Sequence, residues 1–374
     1  MRYWFLAPIS WLYGIGVGIR NNLYDWKILP SEEFEVPVIS VGNITVGGTG
    51  KTPHTEHIVN LLKREQRVAF LSRGYKRKTH GFLLAKKGDT FRQLGDEPCQ
   101  VWMHHPDIYV AVDANRARAI HRLCEEPATS DTDVVLLDDA FQHRSVTPGI
   151  NILLMDYNHL PCDDALLPVG RLREPFSSRE RAQIVIVTKC PSDIRPIDFR
   201  ITYNHLKLRP YQRLFFTTYR YGHLFPLREM EHGTPSFADG NEVSTELQGY
   251  AVLLVTGIAR PDGIITELER RGASVTALSY PDHHTYTKRD MKAIRAAFEA
   301  LPEDKRLIVT TEKDAVRLID KPEIETLADN IRVLPVCVAF LQDQEEHFNE
   351  FIISYVRKNS RNSIIHQRTN THHS

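Results

Sequence analysis

Cysteine is sparse in this 374-residue chain: Cys99, Cys124, Cys162, Cys190 and Cys337 stand far apart, with no C-x-x-C pair among them. That pattern offers neither a zinc site nor a disulfide framework and fits a reducing compartment. An excess of either charge is also missing. Lys plus Arg and Asp plus Glu number 47 each, so nothing in the balance directs the chain to nucleic acid. There is no internal repeat, no small-residue cleavage site of a signal peptide, and no mark of an obligate protein partner. What remains is ordinary globular stock, 42% hydrophobic and 25% charged, of a length that predicts two domains.

The N-terminus is less ordinary. YWFLAPISWLYGIGVGI, Tyr3 to Ile19, is uncharged, flanked by Arg2 and Arg20, and carries five aromatics in its first eleven residues. A spanning helix needs about 20 residues, and Pro8 with three glycines weakens a straight one. Residues 1–27 are therefore expected to associate with a membrane at its interface. Trp4, Trp11 and Tyr13 are ring types that settle among headgroups, and the arginines favour an anionic leaflet. A buried first helix of the core is the alternative.

Residues 28–211 read as an α/β domain. VPVISVGN (36–43) is a buried strand and TPHTEHIVNLLKREQ (52–66) an amphipathic helix with Ile58, Leu61 and Leu62 on one side. Apolar runs follow at 68–72, 108–112, 134–139, 150–156 and 184–189, alternating with helical stretches such as 114–126. Continuous apolar strands belong to a parallel sheet covered on both faces. Near residue 212 the texture changes: RLFFTTYRYGHLFPL suggests hinge strands and EHGTPSFADGNEVST a polar link, so 212–248 are expected to join two domains. A second, smaller α/β domain over 249–345 has apolar runs at 250–261, 274–284, 306–318 and 331–340, with helices from about 263 and over 288–300. The polar end, 357–374, reads as a disordered tail.

Chemistry is carried by ITVGGTGKTPHT, residues 44–55. After a buried strand, Gly47, Gly48, Thr49 and Gly50 let the backbone turn its N–H groups toward a phosphate, and the helix N-terminus adds its positive dipole end. Lys51 then reaches the β/γ-phosphates and Thr52 binds Mg²⁺, while Pro53 sits in the first helical turn, where its missing N–H costs nothing. Thr45 stands where G-x-x-x-x-G-K-[ST] has its first glycine. VVLLDDAFQHR (134–144) supplies a strand ending in Asp138 and Asp139, the place from which such folds hold Mg²⁺. Singly, the loop also reads as a glycine-rich turn and the acid pair as a solvated strand end. In order, each after a strand, they point to ATP and Mg²⁺. Val46 occupies a position where partitioning ATPases carry lysine, which turns the reading away from that class.

VGNITVGGTGKTP, LSRGYKRK (71–78), LGDEP (94–98), LLDDAFQHR (136–144), PVGRLREP (168–175), DHH (282–284) and TTEKDAVRL (310–318) stand in the order found in the tetraacyldisaccharide 4'-kinase family. The chain resembles that family from its N-terminal segment to about residue 340, and LLDDAFQHR and PVGRLREP are the distinctive strings. The resemblance implies a P-loop kinase of two α/β domains joined by a hinge. It would transfer the γ-phosphate of ATP to the 4'-hydroxyl of tetraacyldisaccharide 1-phosphate in lipid A biosynthesis, at the cytoplasmic face of the inner membrane. The acyl chains of that acceptor stay in the bilayer, which accounts for the N-terminal segment.

Residue roles follow from the same resemblance. Asp96 is implied to accept the hydroxyl proton, paired with His283, or with His284 as the alternative partner. Read from the residues alone, Asp96 is as well a helix N-cap and His283 a polar turn residue. A histidine from the second domain meeting Asp96 would couple chemistry to hinge closure. Lys51 and Asp139 complete the catalytic set. Glu97 either joins Thr52, Asp138 and Asp139 around Mg²⁺ or makes a surface salt bridge. Arg73, Arg116 and Arg171 are candidates for gripping phosphate with a guanidinium fork, Arg116 from the helical ANRARAI outside the family strings. Gln142 and His143 follow the acid pair closely enough to face the same site, Tyr75 is expected to line it, and Lys76–Lys78 meet anionic headgroups or solvent. Lys313 and Asp314 either contact nucleotide across the cleft or cap a helix. A membrane-associated P-loop ATPase acting as a nucleotide switch is the competing function, and a switch needs no Asp96–His283 pair. A cytosolic small-molecule kinase leaves the N-terminus unexplained.

Overall fold

The structure, a computed structural model, describes residues 6–232, 247–258, 261–302 and 304–360. The chain opens with α1 (Ala7–Asp25) and builds a larger sheet from β1 (Val38–Gly42), β2 (Val68–Ser72), β3 (Leu83–Leu84), β4 (Tyr109–Val112), β5 (Val134–Asp138), β6 (Ile150–Asp156), β7 (Ile184–Thr188) and β8 (Arg213–Tyr221). Between these strands lie α2 (Lys51–Leu62), α3 (Phe91–Leu94), α4 (Asp96–His104), α5 (Arg116–Glu125) and α6 (Pro196–Leu206). A smaller sheet takes β9 (Phe225–Pro226), β10 (Ala251–Thr256), β11 (Ser274–Ser279), β12 (Arg306–Thr311) and β13 (Ile331–Leu334), with α7 (Asp262–Arg270), α8 (Lys288–Glu299) and α9 (Glu312–Leu318). The chain then returns, β14 (Val336–Phe340) joining the larger sheet and α10 (Glu345–Asn359) covering it.

The larger sheet runs β14-β8-β7-β6-β1-β5-β2-β4-β3, parallel from β8 to β4 with an antiparallel strand at each edge. β1, β2, β5 and β7 bury every residue, because helices cover both faces. Ile39, Phe70 and Leu136 meet α2 and Phe348 and Ile352 of α10 on one face, and Val38, Ala69 and Val135 meet Ile120 and Leu123 of α5 on the other. Each such aliphatic side chain contributes about 1.5–3 kcal/mol by leaving water. β1 lies between β6 and β5 and its Val41 pairs with Asp138, which sets the phosphate loop level with the acid pair at the switch point of the sheet.

Three expectations change. IRVLPVCVAF is two strands in two sheets, divided at Pro335, which has no N–H to continue a ladder. The smaller lobe therefore begins at β9 and ends at Leu334, rather than spanning 249–345, and the strands that enter and leave it, β8 and β14, form an antiparallel pair. Residues 357–359 finish α10, with Arg357 2.8 Å from Glu65, instead of opening a tail. Residues 233–245 of the polar link and 361–374 of the tail lie outside the described residues.

Helix α1 runs unbroken through its glycines, with Pro8 in the first turn. Its inner face docks on the loops beside the phosphate-binding segment: Ser10 Oγ donates to the Leu166 carbonyl and Tyr13 OH to that of Arg173, both at 2.8 Å. Gly14 permits this approach, since a Cβ there would stand 2.8 Å from Leu166 Cδ1. Ile9, Trp11, Leu12, Ile15 and Ile19 point outward and are exposed. Among the described residues no helix is long and apolar enough to cross a membrane.

Candidate active site

The loop from β1 to α2 needs its glycines for two reasons. Gly47 (φ 108°) and Gly50 (φ 83°) hold left-handed backbone, where a side chain costs roughly 1–2 kcal/mol. At Gly50 a Cβ would also stand 2.5 Å from the Tyr219 hydroxyl oxygen. Side chains fix the loop from below: Asn43 Nδ2 donates to Thr49 Oγ1 at 2.9 Å, Thr188 Oγ1 to the Thr49 carbonyl at 3.0 Å, and Lys189 Nζ to the Gly48 carbonyl. PVGRLREP splints it from outside. Val46 N donates to the Arg171 carbonyl at 2.8 Å and Arg173 N to that of Ile44 at 2.7 Å, while Thr45 bridges Leu172. Thr45 has no positive φ, so its departure from glycine carries no strain.

Asp138 ends β5 and Asp139 follows with φ 46°. Lys51 Nζ lies 3.5 Å from one Asp139 oxygen and Arg173 Nη1 3.4 Å from the other. Burial would raise that carboxyl, and the two cations outweigh it and hold it below its ordinary range. Asp138 accepts from Ser72 Oγ at 3.1 Å and is pushed up to about 7, first by burial, then by Asp139 and Glu97. A buried carboxylate crowded by two others, ending a strand paired with the one that leads to Thr52 at the helix N-terminus, offers a hard-oxygen donor set that fits Mg²⁺.

The remaining candidates divide. Arg116 is wholly buried beneath the acid pair, donating to the Asp113 carbonyl and, at 3.4 Å, to that of Asp138, with burial lowering its guanidinium to about 10. Arg73 is exposed, and its charge helps to depress both Arg116 and His143. His143 is pushed down to about 4 by burial, then by Arg116 and Arg73, and is neutral. Gln142 is tied into structure: Nε2 donates to the Asn43 carbonyl at 2.6 Å and its own carbonyl accepts from Arg20 at 2.7 Å. Arg171 is held by Asp164 at 2.9 Å and does not join the acid pair. Arg173, two residues on in the same string, does.

Across the cleft stands Asp96, the first residue of α4, with Gly95 (φ 94°) rather than Asp96 in the capping position. Its Oδ2 accepts from Arg317 Nη2 at 2.6 Å and from His283 Nδ1 at 3.0 Å. Burial works to raise Asp96, but His283 and Arg317 hold it at about 2. His283 Nε2 lies 3.3 Å from Lys313 Nζ, so both ring nitrogens are engaged across the cleft. His284 faces elsewhere, 2.9 Å from Asp290 and stacked on Tyr280. The Tyr75 ring meets His283 edge-on at 5.2 Å, and Lys76 Nζ donates to the His283 carbonyl at 3.4 Å.

Lys313 and Asp314 have opposite fates. Lys313 faces the cleft, 3.1 Å from Glu97 and 3.2 Å from Asp282. Asp314 is internal, accepting from Gly257 N (2.9 Å), Thr311 Oγ1 (2.8 Å), Tyr286 OH (3.1 Å) and Arg317 Nη1 (3.2 Å), and so aims Arg317 at Asp96. Asp96, Glu97 and His283 also bring ligand atoms within 4.8 Å of one another, but Arg317 and Lys313 already supply cationic charge there. Leu94 and Cys99, flanking Asp96, belong to the same core cluster as Leu253 and Val316 of the smaller lobe. Asp96 and His283 thus meet through packed core, and their contact needs no hinge motion.

One side of this cleft can cradle a triphosphate and the other can take a proton from an attacking hydroxyl, which together define a P-loop kinase. Within that class the chain belongs to the Tetraacyldisaccharide-1-P 4'-kinase family, whose model matches residues 2–357. It is 52% identical over 362 residues to the tetraacyldisaccharide 4'-kinase of Phocaeicola vulgatus, covering 96% of each chain. To that of Bacteroides fragilis strain ATCC 25285 it is 50% identical over 376 residues, 99% of this chain and 97% of the relative. The fold is similar to a crystal structure of LpxK from Aquifex aeolicus in complex with ATP, with TM-score 0.70 and 27% identity over 94% of this chain and 98% of that one.

Proposed function

We propose that this protein transfers the γ-phosphoryl group of ATP to the 4'-hydroxyl of tetraacyldisaccharide 1-phosphate in lipid A biosynthesis, working at the cytoplasmic face of the inner membrane. Membership of the family and the ATP named with the Aquifex aeolicus structure support the acceptor and the nucleotide. The contact of Asp96 with His283 opposite the phosphate loop carries the reading, since a nucleotide switch has no use for it.

Phosphoryl transfer asks for positioning and charge neutralisation more than for covalent work. The Gly47–Gly50 backbone and Lys51 hold the phosphates, and Arg73 is exposed and free to grip them. Thr52, Asp138, Asp139 and Glu97 would hold Mg²⁺, which when bound neutralises phosphate charge. Asp96 stays ionised through the neutral range, and the bonds on Oδ2 leave Oδ1 to accept the acceptor's hydroxyl proton. Tyr75, 54% exposed beside His283, offers a ring face to a sugar. The outward stripe of α1 seats the cleft at headgroup level, where an acyl-chain-bearing acceptor stays.

The test is transfer of labelled γ-phosphate from ATP with Mg²⁺ to tetraacyldisaccharide 1-phosphate in detergent micelles. Lipid product from the wild type, lost in Lys51→Ala and Asp96→Asn, is expected. ATP hydrolysis that depends on Lys51 and ignores Asp96, with no labelled lipid, would overturn the assignment in favour of a switch.

A further inference from the structure

Behind the cleft, three ionisable side chains meet in the interior. His104, at the C-terminal end of α4, places Nδ1 2.9 Å from Glu56 Oε1 on α2 and Nε2 3.5 Å from Glu312 Oε1 on α9; the side chains of His104, Glu56 and Glu312 are 3%, 12% and 7% exposed. Gln100 Nε2 adds a 3.2 Å bond to Glu56, and Val336 N, opening β14, donates to Glu312 at 3.3 Å. These helices are the ones that carry the cleft residues. α2 begins with Lys51 and Thr52, α4 with Asp96 and Glu97, and α9 runs on to Lys313 and Arg317.

The Nδ1 contact is a hydrogen bond and the Nε2 contact an ion-pair approach without one, and a ring placed between two carboxyl groups is attracted to both when it carries both protons and their charge. The other charged groups around the cluster are engaged with one another: Lys63, capping the end of α2, lies 3.2 Å from Asp107 and 3.2 Å from His105 Nδ1. When Glu312 ionises, His104 is the cation beside it, and an unpaired buried carboxylate would be strongly destabilising. Burial pulls His104 down, yet Glu56 and then Glu312 raise it to about 9, while burial pushes Glu312 up to about 8.

We propose that His104 is a positioning residue: a doubly protonated strut from Glu56 to Glu312 that holds Lys313 and Arg317 of the smaller lobe in register with Asp96 and the phosphate loop. Losing the strut leaves the phosphate loop intact but loosens the register across the cleft. Turnover then falls while ATP binding holds.

The full chain in detergent micelles, labelled with ¹⁵N at its histidine rings, reports the protonation directly, with the His104 signal identified by its absence from His104→Gln. In the wild type that ring is expected to remain doubly protonated at about pH 8, and in Glu56→Gln to lose a proton at lower pH. His104→Gln, which cannot bridge both carboxylates, is expected to lower kcat about tenfold with KM for ATP within about twofold. The wild type is expected to lose activity as pH rises through about 9 and His104 gives up its second proton, and His104→Gln to lack that fall. A His104 ring that titrates near 6.5, or wild-type kcat in folded His104→Gln, overturns the proposal. Should His104→Gln fail to fold, the Glu56→Gln spectrum identifies and tests the ring instead. The kinetic arm rests on the kinase reading, whose own failure would appear separately as no lipid product from the wild type at any pH.

Discussion

Asp96 owes its chemistry to residues far away in sequence. His283 and Arg317 hold its carboxyl near 2 against burial, so it is ready to accept a hydrogen bond at every pH where the protein works. Asp96→Asn is expected to lower kcat by about 10²–10⁴, measured by phosphate transfer, with ATP affinity kept. The same depression has a sign in stability. Because the folded value lies below the unfolded value of about 3.9, the contribution of Asp96 is present above pH 4 and is lost as pH falls toward 2, so the gap in chemical denaturation between wild type and Asp96→Asn should close over that window. Asp138 behaves oppositely. Raised to about 7, it makes the folded protein lose stability as pH rises from about 4 to 7, and Mg²⁺ should restore what is lost. Calorimetry at pH 8 should show a large Mg²⁺-dependent rise in melting temperature for the wild type and a small one for Asp138→Asn. Lys51 and Asp138 stood out because the glycine loop and the acid pair each follow a strand and occur in order, whereas Asp96 read equally well as a helix N-cap and was singled out only through the family resemblance. Arg173 and Arg317 were not, since an arginine's task depends on which neighbour its segment is packed against.

Among elements, the buried parallel strands were the most legible, because a strand covered on both faces has to be apolar throughout and reads so without context. α10 escaped notice: EEHFNEFIISYVRKN shows one apolar stripe among charges, and only the sheet face that Phe348, Ile352 and Val356 cover gives it a reason to be helical. The β8–β14 pair escaped too, since its partners lie on either side of a whole lobe. At the phosphate loop the two kinds of glycine can be told apart. Gly50→Ala meets both a left-handed φ and the Tyr219 hydroxyl, whereas Gly48 has no positive φ and open space around it. Thermal unfolding should therefore show a lowered melting temperature for Gly50→Ala and little change for Gly48→Ala. For α1, Trp11→Glu and Leu12→Glu remove exposed apolar contact without touching the docked face formed by Ser10, Tyr13 and Gly14. Sedimentation with anionic vesicles should fall about tenfold for each, and kcat on detergent-dispersed acceptor should hold.

For the molecule as a whole, the question is whether two lobes make two folding units. Domains in one chain move independently by default unless their interface is large and apolar. Here the chain crosses twice, outward along β8 and back along β14, and α10 then seals the sheet it returned to. Leu94, Cys99 and Val112 of the larger lobe share a core with Leu253, Tyr286 and Val316 of the smaller. The buried pairs of Arg317 with Asp96 and of His104 with Glu312 span the same junction, and separating the lobes would leave those charges uncompensated. Scanning calorimetry of the full chain should accordingly give one heat-capacity peak whose van't Hoff and calorimetric enthalpies agree. Leu94→Ala, which opens a cavity in the shared core at a position that is 0% exposed, should cost about 2–5 kcal/mol and move that peak down without dividing it. Two resolved peaks in either protein would mean that the lobes fold apart, and that Asp96 and His283 come together only when the cleft closes.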